Sequence, residues 1–249
     1  MIANPDKFQA ILARKDKQCT EGLPVKIGSK IIKTENQVKL VGLLIDNKLS
    51  FDSYITTTLK QASAKLNAIK RIGKYLSESQ KKILCYSYVL VYLKYCPAVW
   101  HFGNAGLIHK TEKLQKRVVR FINSDYDTDY FTLLKEKNLK TLYTERLENI
   151  CCEVYKFKKG ISPEYMNEII SERPSNYPSR NPLDIYNPKS NQVTFGYNSF
   201  RKTAPLVWNT LPNEIQNATS LTEFKTKIRN INLPWCSCKK CCSLRLLID

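Results

Sequence analysis

The sequence predicts an α+β protein that is mostly α-helical, and three observations predict this class. Apolar residues alternate with polar ones before residue 46, and they recur every three or four residues from residue 52 onward. Hydrophobic residues make up 43% of the 249 positions, which is enough for a packed core. We therefore expect a small α/β segment (1–49), a three-helix bundle (50–122), a helical connector (123–173), a Pro-rich linker (174–200) and a C-terminal segment (201–249).

The N-terminal segment predicts short strands. Val25 and Ile27 alternate with polar residues before the pair Gly28–Ser29, which is typical of a hairpin. The apolar run Val38–Ile45 contains one glycine and predicts a single strand that ends at Asp46.

An apolar stripe with alternating spacings of four and three residues predicts the first helix of the bundle. Ser50 or Asp52 is expected to cap its N-terminus, because an oxygen there accepts a hydrogen bond from an unpaired backbone N–H group. The basic residues that fall off the stripe are expected to face solvent. The stripe consists of Ile55, Leu59, Ala62, Leu66 and Ile69.

Two further helices complete the predicted bundle. Ser77 and Gln80 have the spacing of a capping box and predict a helix over residues 78–95. This helix is apolar almost all round, so we expect it to be central and buried. Pro97 ends it, and a third helix is predicted over residues 107–122 with its basic residues outward.

The pattern stays helical beyond the bundle up to about residue 172. Four prolines between residues 174 and 190 then predict an extended linker, and residues 193–197 predict a short strand. Ser220 and Glu223 predict a second capping box, which begins a helix that ends near Asn230.

Positive charge is concentrated in the predicted bundle. The formal net charge is +18, and residues 60–120 hold 13 basic and two acidic residues, a balance of +11. A local positive field attracts polyanions, of which nucleic acid is the usual one, and the alternative is a solvated basic surface without a partner. The candidate nucleic-acid-binding residues are Lys60, Lys65, Lys70, Arg71, Lys74, Lys113, Lys116, Arg117 and Arg120.

One motif has the chemistry of a metal site. Cys236, Cys238, Cys241 and Cys242 lie within one short stretch, and thiolates are good Zn²⁺ ligands. Structural zinc sites usually place two cysteine pairs on separate turns, and adjacent cysteines reach one ion only with strain. The alternative is a basic tail with reactive thiols. The other five cysteines are expected to be small buried hydrophobic residues.

Other catalytic chemistry has no recognisable motif in the sequence. It has no G-x-S-x-G, no Gly-rich phosphate loop and no two adjacent aspartates, so no paired-carboxylate metal site for phosphoryl transfer is visible. No apolar stretch reaches the ~18 residues of a membrane span, and the first residues do not follow a signal-peptide pattern. We therefore expect an intracellular protein with reduced thiols and no membrane partner.

Several segments, in their order and spacing, resemble the C-terminal half of a reverse transcriptase. The resemblance is to the jockey-like non-LTR retrotransposon enzymes, and it covers nearly the whole chain. The segments that carry it are Asn4–Lys7, Val38–Asp46 with Leu49–Phe51, Leu90–Trp100, Leu114–Arg117 with Arg120–Ile122, Pro205–Pro212, Ser220–Leu221 and Phe224–Lys225.

The resemblance implies RNA-directed DNA synthesis by the full-length enzyme, which uses two Mg²⁺ ions. It implies that residues 1–49 are the end of the palm, with a primer-grip-like strand at Gly42, Leu43 and Asp46. Residues 50–122 match the thumb, which holds an RNA–DNA or DNA duplex by its phosphates. The family's catalytic aspartates are expected upstream of Asn4, in a missing polymerase region, so we expect this chain alone to be inactive and to contain no cofactor other than a possible Zn²⁺.

Two other interpretations stay open at this stage. The chain is also consistent with a host protein that keeps such a remnant as a nucleic-acid binder. A helical protein-interaction module with an acidic partner is the alternative from another class. The first predicts salt-dependent duplex binding with little sequence preference, and the second predicts none.

Overall fold

A computed structural model describes residues 7–13, 21–28, 30–172, 185–189 and 199–231. The fold is α+β and mostly helical, as predicted. The strands of the described residues are β1 (Ala10–Ile11), β2 (Pro24–Ile27), β3 (Lys30–Glu35), β4 (Gln37–Leu40) and β5 (Leu43–Asp46). Their helices are α1 (Asp52–Ile72), α2 (Glu78–Cys85), α3 (Val91–Lys94), α4 (Pro97–Trp100), α5 (Ala105–Asn123), α6 (Tyr130–Glu136), α7 (Leu142–Lys158), α8 (Met166–Ile169), α9 (Phe200–Trp208), α10 (Asn213–Gln216) and α11 (Leu221–Arg229). Among these helices, none combines the length and the hydropathy needed to cross a membrane.

The strands form two small sheets. In the first, β3 pairs with β2 in antiparallel register and with β1 in parallel register. Gly28 has a φ of +61° next to this hairpin, a conformation that glycine adopts without strain, and the predicted β2–β3 hairpin is confirmed.

The second sheet corrects the prediction of one strand over residues 38–45. The run folds back on itself as the β4–β5 hairpin, with Leu40 opposite Leu43. The two turn residues, Val41 and Gly42, have φ values of 48° and 84°. Positive φ at both central positions is the geometry of a tight two-residue hairpin turn, and Gly42 adopts this conformation without steric strain. Val38 and Leu43 are buried, and Leu43 packs against Tyr54 and Ile55 at the start of α1.

Asp46 connects this hairpin to the first helix. Its carboxylate accepts hydrogen bonds from the backbone N–H groups of Phe51 (2.8 Å) and Ser50 (3.1 Å) and from the Ser50 hydroxyl (2.9 Å). The prediction that Ser50 or Asp52 caps α1 was wrong, because the N-cap position is Phe51, which has no side-chain cap hydrogen bond. Ser50, one residue earlier, accepts from the backbone N–H of Asp52 at 3.3 Å. Burial alone would raise the pKa of Asp46, but the bonds from Phe51 and Ser50 together lower it below its ordinary value.

The bundle core confirms the predicted stripe of α1. Ile55, Ala62, Leu66 and Ile69 are buried, and Leu59 packs against them. The predicted capping box of α2 is present, because Ser77 and Gln80 exchange both hydrogen bonds. The predicted third helix is α5, which packs against α1 and α2.

Gly73 permits the close corner between α1 and α2. A Cβ atom at Gly73 would lie 2.7 Å from Cε2 of Phe121, which is inside van der Waals contact. The aromatic ring of α5 therefore packs directly against the backbone at the end of α1. Phe121 itself is largely buried in the bundle core.

The second predicted helix is present but is not buried all round. Residues 78–94 form α2, a π-helical turn (Tyr86–Leu90) and α3 in succession. Cys85, Val89, Leu90 and Leu93 are buried, whereas Ile83 and Val91 are 65% and 50% exposed. The prediction was wrong because this helix lies at the surface of the bundle, so only one of its apolar faces meets α1 and α5.

A second core lies between α7 and the C-terminal helices. Trp208 and Tyr155 both stack on Phe224, with ring centroids 5.8 and 4.5 Å from it. Asn209 holds the residues before α9, because its amide exchanges two hydrogen bonds of 2.9 Å with the backbone of Ile185. The motif Pro205–Pro212 thus supplies a tryptophan to the core and an asparagine that binds the backbone of Ile185.

The C-terminal predictions are confirmed in part. Helices α6, α7 and α8 occupy the predicted connector. Ser220 caps α11, but Glu223 accepts from the backbone N–H and hydroxyl of Thr219 instead of closing the box on Ser220. The predicted strand at 193–197 and most of the linker at 174–200 lie outside the described residues.

The Asp46 contacts generate a stability prediction. Asp46→Ala should lower the free energy of unfolding by about 1–3 kcal/mol at pH 7, because three donors lose a charged acceptor. The pKa of the folded state is lowered, so this contribution is present above the unfolded pKa of about 4 and is lost as pH falls through the folded value. Urea unfolding of the wild type and of Asp46→Ala from pH 7 to pH 3 measures this contribution at each pH. A difference that stays constant over that range would contradict this assignment.

Candidate nucleic-acid interface

The outward face of α5 carries only basic charge. At about 100° per residue, five basic side chains fall within a sector of about 120°. The opposite side of the helix is buried, and it includes Glu112, the only acidic residue of α5. The five residues are Lys110, Lys113, Lys116, Arg117 and Arg120.

The basic residues of α1 divide over three directions. Lys60 and Arg71 are exposed and point the same way, because a separation of 11 positions turns the helix to within about 20° of the same direction. Lys70 is half-buried on the flank that faces α5, and Lys65 lies about 140° from it around the axis. The only acidic residue of α1 is Asp52, in its first turn.

Side chains of α1, α2 and α5 meet along one seam of the bundle. The Arg117 guanidinium donates to the Asn67 side chain across 3.5 Å, which joins α5 to α1. The Nζ atoms of Lys70 and Lys81 lie 5.8 and 5.4 Å from the centroid of the Phe121 ring. The seam therefore gathers three cations from three helices, two of which, Lys70 and Arg117, belong to the predicted set.

Two of the predicted residues lie at the other edge of α5 and are partly neutralised. Arg120 donates to the carbonyl of Thr128 at 3.4 Å, and the Nζ of Lys116 lies 5.7 Å from the ring centroid of Tyr130. Hydrogen bonds from Thr128, aided by Arg120, lower the pKa of Asp125. A hydrogen bond from Thr132 leads the causes that lower the pKa of Asp129, and Lys116 contributes.

The turn that contains Asp125 and Asp129 connects α5 to α6, and its carboxylates separate the predicted basic residues into two groups. Asp129 caps α6 by accepting from the backbone N–H groups of Phe131 and Thr132. The nine predicted residues do not form one surface: Lys70 and Arg117 lie on the seam, whereas Lys116 and Arg120 face carboxylates.

Sequence reasoning left Lys81 out of the binding set. Its Nζ donates to the hydroxyl of Ser124 at 2.8 Å, at the C-terminal end of α5. A separation of 43 residues lies between the two, so no local spacing signals the contact. The only available signal was the dense run of basic residues in this part of the chain.

A buried ion pair holds α5 in its orientation. The Arg146 guanidinium donates to the Glu112 carboxylate at 2.9 Å and to Nδ1 of His101 at 3.2 Å, and its plane lies 5.2 Å from the Trp100 ring. Burial, together with Arg146, lowers the pKa of His101 to about 3, so the imidazole is neutral and accepts the bond. Burial raises the pKa of Glu112, and the charge of Arg146 opposes that rise.

The residues expected to resemble a primer grip have structural roles. Leu43 packs with Ile55 and Trp100, and Asp46 holds the turn into α1. Gly42 forms the hairpin turn, beside which the Tyr95 hydroxyl donates to the carbonyl of Val41. The tip of this hairpin is exposed, since Leu40 is 60% and Val41 80% exposed.

The cysteine predictions are tested only in part. Cys236, Cys238, Cys241 and Cys242 lie outside the described residues, as does Cys19. Cys85, Cys151 and Cys152 are buried, as expected for small hydrophobic residues, and Cys96 is partly exposed. Burial raises the pKa of Cys85 to about 11. Within the portion of the chain that the structure covers, no three potential metal ligands are grouped.

Comparison with known proteins identifies no relative. Models of protein families, curated proteins and solved structures were each compared with the chain, and none matches it.

The buried pair generates a prediction on stability. Glu112→Leu and Arg146→Met should each lower the free energy of unfolding by about 3–5 kcal/mol, because each leaves a buried charge unpaired. The double variant should lose less than the sum. A double-mutant cycle from urea unfolding measures the coupling energy between Glu112 and Arg146. Additive losses of stability in the two single variants would contradict this coupling. Glu78→Gln is the control, since the exposed Glu78–Lys137 pair (3.3 Å) should contribute less than about 1 kcal/mol.

Proposed function

We propose that the chain is the duplex-binding part of a reverse transcriptase of the jockey-like non-LTR kind, an RNA-directed DNA polymerase. The observation that carries the proposal is the outward charge of α1 and α5, which pack side by side. Between residues 53 and 123 the only acidic residues are Glu78 and Glu112. Glu112 is buried against Arg146, and Glu78 pairs with Lys137, so neither opposes the basic faces.

The dimensions of these faces suit a nucleic-acid backbone. Lys60 and Arg71 lie about 16 Å apart along α1 at about 1.5 Å per residue. One strand of a duplex advances about 3.4 Å per phosphate, so this distance matches about five phosphates. The side chains are long, mobile cations suited to phosphate contacts, which position a duplex without reading its sequence.

The order of elements also supports the proposal. A β-hairpin precedes a basic helical bundle, as the resemblance implies for the end of a palm followed by a thumb. We do not assign nucleotide addition to this chain, because its sequence contains no adjacent pair of aspartates to hold the two Mg²⁺ ions of the family enzyme. The missing polymerase region would supply that chemistry.

Duplex binding is the test of this function. Fluorescence anisotropy with a labelled RNA–DNA duplex and a DNA duplex of the same length should show binding by the full chain in 50 mM salt. The logarithm of the association constant should fall linearly with the logarithm of salt concentration, by about 0.9 per neutralised phosphate. Scrambling the duplex sequence should change the affinity little. An absence of binding in 50 mM salt would overturn the proposal.

Two double variants of α5 locate the surface. Lys113→Ala/Arg117→Ala should weaken duplex binding and reduce the salt slope by about 2, because both side chains are exposed and, among the described residues, neither forms a salt bridge with a carboxylate. Lys116→Ala/Arg120→Ala removes the same charge from the same helix and should weaken binding less, since Asp125 and Asp129 already offset these residues. Equal losses would place the contact over the whole basic surface.

One observation favours a second candidate function, a protein-interaction module with an acidic partner. Ile83, Tyr88 and Val91 are 65%, 55% and 50% exposed on the helix that runs over residues 78–94. Large apolar side chains on an otherwise basic surface are typical of a protein contact. This candidate predicts that the chain binds an acidic peptide helix but no duplex, so the anisotropy experiment separates the two functions.

A further inference from the structure

We propose that Lys70, Lys81 and Ser124 form a seat for a single phosphate group, at the corner where α1, α2 and α5 meet. The inference deepens the proposed function and rests on it, since the phosphate would belong to the backbone of the bound nucleic acid. It identifies which of the many basic residues make a defined contact.

The geometry brings two cations onto one aromatic ring. Lys70 comes from the last turn of α1, and Lys81 comes from α2, yet both Nζ atoms lie within 6 Å of the Phe121 centroid. Because both distances are measured to the same point, the two ammonium groups lie within about 11 Å of each other. The lysine side chain is long and flexible, so a rotation of Lys70 would bring its ammonium group to a phosphate that Lys81 contacts.

The charges of this pair are not neutralised by the protein. In the described part of the chain, neither Lys70 nor Lys81 has a carboxylate within salt-bridge distance, and the nearby Glu78 is engaged by Lys137 at 3.3 Å. The face of an aromatic ring attracts an ammonium ion but carries no net charge. An anion bound beside these two ammonium groups would therefore supply the negative charge that the protein does not.

The seat is held in place before any ligand arrives. Ser124 accepts a hydrogen bond from Lys81 at 2.8 Å, which fixes this ammonium group and leaves the serine hydroxyl proton to donate to a phosphate oxygen. Gly73 lets the Phe121 ring pack against the end of α1, since any Cβ atom there would lie 2.7 Å from the ring. Preorganised donors bind with a smaller loss of side-chain entropy.

A purely structural role for Lys81 makes a different prediction. Ser124 is the residue that ends α5, and a cation near the C-terminus of a helix stabilises it through the helix dipole. In that case loss of Lys81 would lower the free energy of unfolding and leave nucleic-acid binding unchanged. Lys81→Gln keeps a donor for Ser124 and removes the charge, so measuring both the free energy of unfolding and duplex binding of this variant separates the two roles.

Matched double variants of the full chain test the seat. Lys70→Ala/Lys81→Gln should weaken binding of a labelled DNA duplex at least tenfold, with each single change causing most of the loss because both groups hold one phosphate. Lys60→Ala/Lys65→Ala removes two exposed lysines of the same bundle and should weaken binding two- to threefold. If the two pairs lose affinity equally and additively while the wild type binds, the seat is refuted and duplex binding stands.

A titration with inorganic phosphate tests the seat without a duplex. The backbone amide signals of Phe121 and Ser124 in ¹H–¹⁵N spectra should shift in the wild type and stay unchanged in Lys70→Ala/Lys81→Gln. Unchanged signals in the wild type would overturn the proposal, whatever the duplex experiment shows. If these signals shift but no duplex binds, the seat exists and the proposed function fails.

Discussion

The buried contact between Glu112 and Arg146 is the constraint on which the basic surface depends. Glu112 is the only acidic residue of α5, and its carboxylate lies 2.9 Å from a guanidinium of α7. Removing charges from water is unfavourable unless they are paired, so α5 has one favoured rotation about its axis. In that rotation every exposed charge of the helix is positive. The pair also joins the bundle to the C-terminal core, because α7 contributes to both.

Packing then decides which of the basic residues act together. Gly73 and Phe121 close the corner between α1 and α2, and this closure brings Lys81 next to Lys70. On the other edge of α5, the turn before α6 places Asp125 beside Arg120. The charged residues on the outward face of α5 are all basic. Carboxylates offset this charge along the edge near α6 but not along the opposite edge.

Two predictions that were based on runs of apolar residues were wrong. The apolar run of residues 38–45 has the composition of one strand, but Gly42 accepts a positive φ and lets the run reverse. The helix over residues 78–94 has apolar residues on all sides, yet Ile83 and Val91 stay exposed because only one side meets the bundle. The role of His101 depends on Arg146, 45 positions away, so no local spacing indicates it.

The sequence by itself determined the class of the fold, the positions of the main helices and the segment that carries the positive charge. These properties follow from spacing, capping residues and composition, which act over a few residues along the chain. Only the tertiary structure decided that Glu112 faces inward and that Lys70 and Lys81 share one ring. Such contacts join residues that are distant along the chain, and the packing of whole helices against one another selects them.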